Sequence, residues 1–143
     1  MHEANISSLQ ERKVLLTGAA GGVGRAVAAQ MADAGAKVLL ADRIESDLPQ
    51  LVDQIKDSGL PEIHFVIADL SMRQGIAEVF EQVDEQLGGL DILVACAGVG
   101  SGPLMEMDDP GWRFVLETNL ASYVACARFE SIAVIDGRVI KVI

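Results

Sequence analysis

Three glycines, Gly18, Gly22 and Gly24, follow the apolar run Val14 to Leu16 and open a stretch of helical periodicity. That spacing suits a phosphate cradle. Gly18 lets the chain turn sharply, because glycine tolerates backbone angles that other residues avoid. At Gly22 and Gly24 the missing side chains let a pyrophosphate come close and a helix pack against a sheet. The unpaired N–H groups of the helix start then face the phosphates. Asp42 follows roughly 20 residues later, where an acidic side chain in a dinucleotide-binding βα unit meets ribose hydroxyls. Its charge opposes a 2′-phosphate and favours NAD over NADP. Arg43 beside it softens that preference.

Other reactive side chains form no constellation. His2 and His64 have no Cys or His partners at ligand spacing, so no metal site is expected. Cys96 reads as a small buried hydrophobe without a base partner, and with Cys126 as a reduced thiol of a cytoplasmic protein. Arg25 suits either a pyrophosphate contact or an exposed helix position. Trp112 suits a hydrophobic anchor, and Lys141 a charge on a strand edge. The formal net charge of −10 argues against a nucleic-acid or anionic-membrane partner. No apolar run approaches the roughly 20 residues of a membrane span.

The elements that must position these residues alternate between strand and helix. After the glycine turn, Val23, Ala26, Val27 and Met31 recur at helical spacing up to Gly35. Lys37 to Asp42 reads as a strand, and Leu48, Leu51, Val52 and Ile55 as the apolar face of a second helix. Ile63 to Ala68 is a third strand. Ile76, Val79, Phe80, Val83 and Leu87 line a third helix, stopped by Gly88-Gly89. Ile92 to Cys96 is a fourth strand. Asp109-Pro110 predicts a helix start, with Asp as N-cap and Pro at the first helical position, and the helix runs to about Arg128. Arg138 to Ile143 is a fifth strand. Alternation of this kind predicts βαβ units, hence an α/β fold with a doubly wound parallel sheet of Rossmann type and helices on both faces. One domain, 1–143, is expected, with 1–12 as a polar lead-in.

At this point the chain resembles the short-chain dehydrogenase/reductase family. The spacing Thr17-Gly18-x-x-x-Gly22-x-Gly24 is that family's. Asp69-Leu70 is similar to its adenine-contacting segment, and Asp91 to Gly98 to the strand and turn it usually writes Asp-x-Leu-Val-Asn-Asn-Ala-Gly. Trp112 to Leu120 resembles its helix bearing an active-site Asn, and Gly137 to Ile140 the start of its fifth strand. The resemblance implies that Thr17, Gly18, Gly22, Val23 and Gly24 shape the phosphate site and that Asp42 and Arg43 border the ribose. It implies that Asp69 and Leu70 flank the adenine, that Ala97 and Gly98 pass near the nicotinamide-side ribose, and that Asn119 is the asparagine of the catalytic tetrad, helping to place a water in the proton relay. It further implies strand order 3-2-1-4-5, a small alcohol or carbonyl substrate in a complete relative, and homo-oligomeric association of copies through the helix of Asn119 and the next one, of which only the first is expected here, so that self-association is altered.

The departures are specific. Ala95 and Cys96 stand where the family usually has two asparagines. The family's Ser and Tyr-x-x-x-Lys, whose lysine lowers the tyrosine pKa for proton transfer, have no counterpart in these 143 residues. The single tyrosine, Tyr123, has Ala127 four positions on and reads as a packing residue. The chain reaches Ile143 about where that Ser would follow. The expectation is therefore a cofactor-binding part that catalyses little alone. The alternatives are a non-catalytic dinucleotide-binding or interaction module, or an inactive truncated remnant.

Overall fold

Runs of Val, Leu and Ile flanked by glycine, serine and aspartate become strands, and those at Lys13–Thr17 and Lys37–Asp42 are buried on both faces. The computed structural model describes residues 9–43, 46–60, 62–100, 102–133 and 141–142. Strands β1 (Lys13–Thr17), β2 (Lys37–Asp42), β3 (Ile63–Ile67), β4 (Ile92–Ala95) and β5 (Lys141–Val142) form one parallel sheet in the order β3-β2-β1-β4-β5. The expected fifth strand, 138–143, is represented by its two described residues, paired with Ile92 and Leu93; the remainder lies outside the described residues, as do residues 1–8 of the polar lead-in.

The sheet has two apolar faces. Val14, Leu16, Val38 and Leu40 project to one side, where α1 (Gly22–Asp33) and α2 (Leu48–Asp57) cover them. Leu15, Leu39, Ala41 and Leu93 project to the other, covered by α3 (Arg73–Gln82), its wider continuation Val83–Leu87, and Cys126 of a later helix. This alternation along each strand makes the fold doubly wound. At the N-terminal end of the sheet, Asp91 Oδ2 accepts from the Lys13 N–H at 3.0 Å, and the Asp91 N–H donates to the Lys13 carbonyl at 2.8 Å. Those bonds fix β1 and β4 in register at the end remote from the glycine turn.

The second and third helices bury the residues expected of them: Leu48, Leu51, Val52 and Ile55 in α2, and Ile76, Val79, Val83 and Leu87 along α3, with Phe80 half-buried. The first does not. α1 buries Gly24, Ala28 and Ala32, whereas Val23 is 69% exposed and Ala26 also faces solvent. The helix lies so close to the sheet that only small residues fit beneath it, and Val27 and Met31 pack along its flank. Close approach has outranked hydrophobicity in choosing the face.

The last helical run also differs from expectation. Its N-cap is Asp108, not Asp109: Asp108 Oδ1 accepts from the Gly111 N–H at 2.9 Å, leaving Asp109 and Pro110 inside the first turn. The run continues past Arg128 to Ala133, and it is not uniform. α4 (Asp109–Leu116) and α5 (Ser122–Ala133) are joined by a π turn, Glu117–Ala121, which holds Asn119. A π turn inserts one residue into the helical register and re-aims the side chains that follow.

Candidate functional site

The strand order reverses between β1 and β4: the connection from β1 leads towards β2 and β3, and that from β4 towards β5. Beyond the C-terminal ends of strands at such a point the two connections diverge and leave a crevice. A cleft of about 380 Å³ lies there. Its floor is the turn at Gly18, Ala20 and Gly21. Asp42, Arg43, Ser46, Asp47 and Ala68 to Ser71 form one wall, and Cys96 to Val99 with Thr118 form the other.

The glycines have separable duties. Gly18 has φ 65°, and a Cβ there would sit 2.5 Å from the Ala97 N and the Cys96 carbonyl oxygen. It therefore serves the close crossing of the turn beneath β4's exit as well as the bend. A Cβ on Gly24 would strike the Gly18 carbonyl and lie 2.8 Å from the Ala19 Cα, so this position holds helix and turn together. At Gly22 a Cβ would meet no protein atom within 4 Å. Nothing in the chain's own packing demands glycine there. The space beside the helix start is open, which leaves room for an anion to approach its N–H groups.

Asp42 ends β2 and turns back towards the glycine turn. Its Oδ2 accepts from the Ala20 N–H at 2.8 Å and its Oδ1 from the Arg43 N–H at 2.7 Å. Each carboxylate oxygen keeps a further lone pair, so the group can brace the turn and still accept from two hydroxyls. Asp69 Oδ1 accepts from the Ser71 hydroxyl at 2.7 Å and the Ser71 N–H at 2.9 Å. Those bonds, with the charge of Arg43 nearby, hold its carboxyl below the usual carboxylate range. Arg25 is neither a free surface cation nor a lining group. Its Nε donates to the Ala20 carbonyl at 2.9 Å, and its guanidinium pairs with Asp47, whose pKa that bond depresses. It ties the glycine turn to the start of α2.

The opposite wall is set by Asn119. Its Oδ1 accepts from the Val99 N–H at 2.7 Å and its Nδ2 donates to the Val99 carbonyl at 3.0 Å. Both ends of the amide are engaged, and the loop after β4 is held against the π turn. Thr17 lies beneath the site and does not line it. It is 2% exposed, and its Oγ1 accepts from the Ala97 N–H at 3.4 Å. Gly22, Val23 and Gly24 stand at the helix start just outside the lining. Cys96 is half-buried on the cleft wall, and burial pushes its thiol pKa up, away from nucleophilic thiolate.

Sequence reasoning overlooked Ser46, Asp47, Ser71 and Thr118. Ser46 and Asp47 follow the strand that Asp42 ends, and Ser71 follows Asp69-Leu70, so position after a strand's C-terminal end was an available signal. Thr118 had none, because a π turn has no sequence signature of its own. The Oγ atoms of Ser46 and Thr118 are buried without a hydrogen-bond partner. Among the described residues no group of His, Cys, Asp and Glu is placed to hold a metal ion, and no helix is long and apolar enough to cross a membrane. Tyr123 and Trp112, expected to pack, are both exposed.

Comparison with known proteins points one way. Residues 12–143 match the family model described as short chain dehydrogenase. The 11-beta-hydroxysteroid dehydrogenase A of Sesamum indicum is 35% identical over 120 residues, which are 82% of this chain and 34% of that protein. The solved structure of L-sorbose reductase from Gluconobacter frateurii, complexed with NADPH and L-sorbose, is 33% identical with a TM-score of 0.76, covering 84% of this chain and 46% of that one. An NADH-dependent reductase, A1-R', complexed with NAD is 26% identical with a TM-score of 0.76, covering 87% of this chain and 53% of that one. The chain spans about a third to a half of the length of the curated relatives it matches. With the sheet order, the glycine turn and a match over nearly its whole length, the chain belongs to the short-chain dehydrogenase/reductase family.

Proposed function

We propose that this chain binds a nicotinamide dinucleotide, NAD in preference to NADP, and forms the cofactor half of an oxidoreductase acting on an alcohol or carbonyl group. The observation that carries the reading is the Asp42 carboxylate, anchored to Ala20 at the glycine turn with acceptor capacity to spare. Solved relatives hold NAD or NADPH. The adenosine lies between Asp42, Arg43, Asp69 and Leu70, the pyrophosphate crosses Gly18, Gly22, Val23 and Gly24, and the second ribose passes Ala97 and Gly98. Thr17 supports that path from below. Asn119 takes its part in the proton relay from a turn fixed by its own amide. The nicotinamide, when bound, supplies hydride transfer.

Like charges about 4 Å apart repel by about 1 kcal/mol in water and about 4 kcal/mol at a protein surface. A 2′-phosphate beside Asp42 meets that repulsion, only partly offset by Arg43, whose charge also acts on Asp69. Titration of the 143-residue chain with NADH, followed by fluorescence, is expected to saturate, with NADPH at least about tenfold weaker. No saturation at millimolar cofactor would sink the reading.

A second reading is a dinucleotide-binding module without catalysis of its own. The cleft, the glycine turn and Asp42 serve cofactor binding in either reading. Turnover separates the two: appreciable oxidation of alcohols by this chain would remove the second.

Self-association belongs to the proposal as well. Trp112, Leu116, Leu120, Tyr123 and Val124 are exposed along α4, the π turn and α5, and α4 buries no residue at all. A run of large apolar side chains facing water on one helix marks a contact surface, here for a second copy of the chain.

A further inference from the structure

Arg25 stands beside the cleft with its charge already matched. Its Nε donates to the Ala20 carbonyl at 2.9 Å, and the Ala20 N–H donates to Asp42 Oδ2 at 2.8 Å. One residue of the glycine turn thus separates the guanidinium from the Asp42 carboxylate. The other end of the guanidinium pairs with Asp47. Asp47 is the N-cap residue of α2, yet its side chain makes no capping bond there. An N-cap aspartate ordinarily accepts from an N–H of its own helix. This carboxylate is spent on Arg25 instead, and that bond holds it below the usual carboxylate range. The two side chains are 36% and 49% exposed, and ion pairs so placed add little to stability. What the pair does change is the charge beside the cleft.

Among the described residues, the lining holds three carboxylates, Asp42, Asp47 and Asp69, against one guanidinium, Arg43. Arg25 is a second cation at this wall, anchored to the turn by a bond to Ala20 that does not involve Asp47. With Asp47 in contact, the two charges cancel, and an anion approaching Asp42 meets a pair without net charge. We infer that Asp47 is a specificity-determining residue: by cancelling the Arg25 charge it denies a cationic partner to a ligand that carries an extra phosphate on the ribose at Asp42. The inference rests on the dinucleotide reading above. It adds to the direct repulsion by Asp42 a second, separable source of the preference for NAD. Once the Asp47 charge is removed, the bond to Ala20 keeps Arg25 at the turn, and its charge is open to a 2′-phosphate.

NADH and NADPH differ only in the 2′-phosphate, so the ratio of their dissociation constants isolates it. Asp47→Asn removes the charge and keeps the shape. In fluorescence titrations of the 143-residue chain it is expected to strengthen NADPH by about tenfold, the scale of one unmasked charge near a protein surface, and to change NADH by less than about twofold. Asp47→Ser should shift the ratio in the same way while keeping a good N-cap residue for α2. Adding Arg25→Gln to Asp47→Asn should return the ratio to that of the unaltered chain, because the pair is again without net charge. An unchanged ratio in Asp47→Asn and Asp47→Ser overturns the inference. So does a gain that survives the addition of Arg25→Gln, which would assign the effect to Asp47 alone. So does an equal change for both cofactors, the result expected of a purely structural tie between the glycine turn and α2. Failure of the unaltered chain to bind either cofactor overturns the dinucleotide reading instead, and the inference falls with it.

Discussion

At the scale of single residues, Gly22 and Gly24 separate two reasons for having no side chain. A Cβ on Gly24 collides with backbone of the turn, whereas one on Gly22 meets no protein atom within 4 Å. Gly24→Ala is expected to lower stability by about 1–3 kcal/mol, the range for overpacking where backbone must yield. Gly22→Ala should leave stability unchanged or raise it by up to about 1 kcal/mol, since alanine is the better helix former. The same Gly22→Ala should weaken NAD binding, measured by NADH titration beside thermal unfolding. Equal destabilisation by the two changes would show that the glycines share one structural duty. The place of Asp42 on the cleft wall was legible in the sequence because it follows from the end of a strand. The burial of Thr17 was not, because motif spacing does not reveal whether a side chain faces the ligand or the sheet beneath it.

At the scale of elements, the last helical run shows what local chemistry can and cannot determine. Adjacent aspartates, Asp108 and Asp109, both suit an N-cap, and proline tolerates more than one place in the first turn. The Asp108 carboxylate settles the matter by accepting from the Gly111 N–H. Asp108→Ala is expected to cost about 1 kcal/mol while Asp109→Ala costs a few tenths, read by denaturant unfolding. Equal costs would place the cap elsewhere. The face of α2 was legible because four large apolar residues at helical spacing all reach the core. The face of α1 was misread because alanine and glycine, not valine, line its contact with the sheet. Apolar periodicity registers size and hydrophobicity, and a helix packed this closely selects for the absence of size.

At the scale of the whole molecule, the alternation of strands and helices was enough to anticipate the parallel sheet, and the family resemblance supplied its order. The apolar surface along α4, the π turn and α5 was less legible. Trp112 was read as an anchor and Tyr123 as a packing residue, whereas both face water beside Leu120, which is 57% exposed. Burial of a side chain depends on what lies over it, which periodicity does not report. Size-exclusion chromatography with light scattering is expected to show self-association that Leu120→Lys reduces; a well-behaved monomer before the change would remove that role from this face. The sheet order has a last consequence, for the chain as it is made. One wall of the cleft, Asp42 to Ser71, and the glycine turn at its floor lie within the first 71 residues, whereas the facing wall is complete only at Thr118. At about 5–20 residues per second of synthesis, the interval between Ser71 and Thr118 is roughly 2–9 s. Until residue 97 is made, midway through that interval, β1 has no β4 beside it, and Gly18 borders open space where Ala97 will later lie. On the proposed reading, the residues that would hold adenosine are thus made before those of the facing wall.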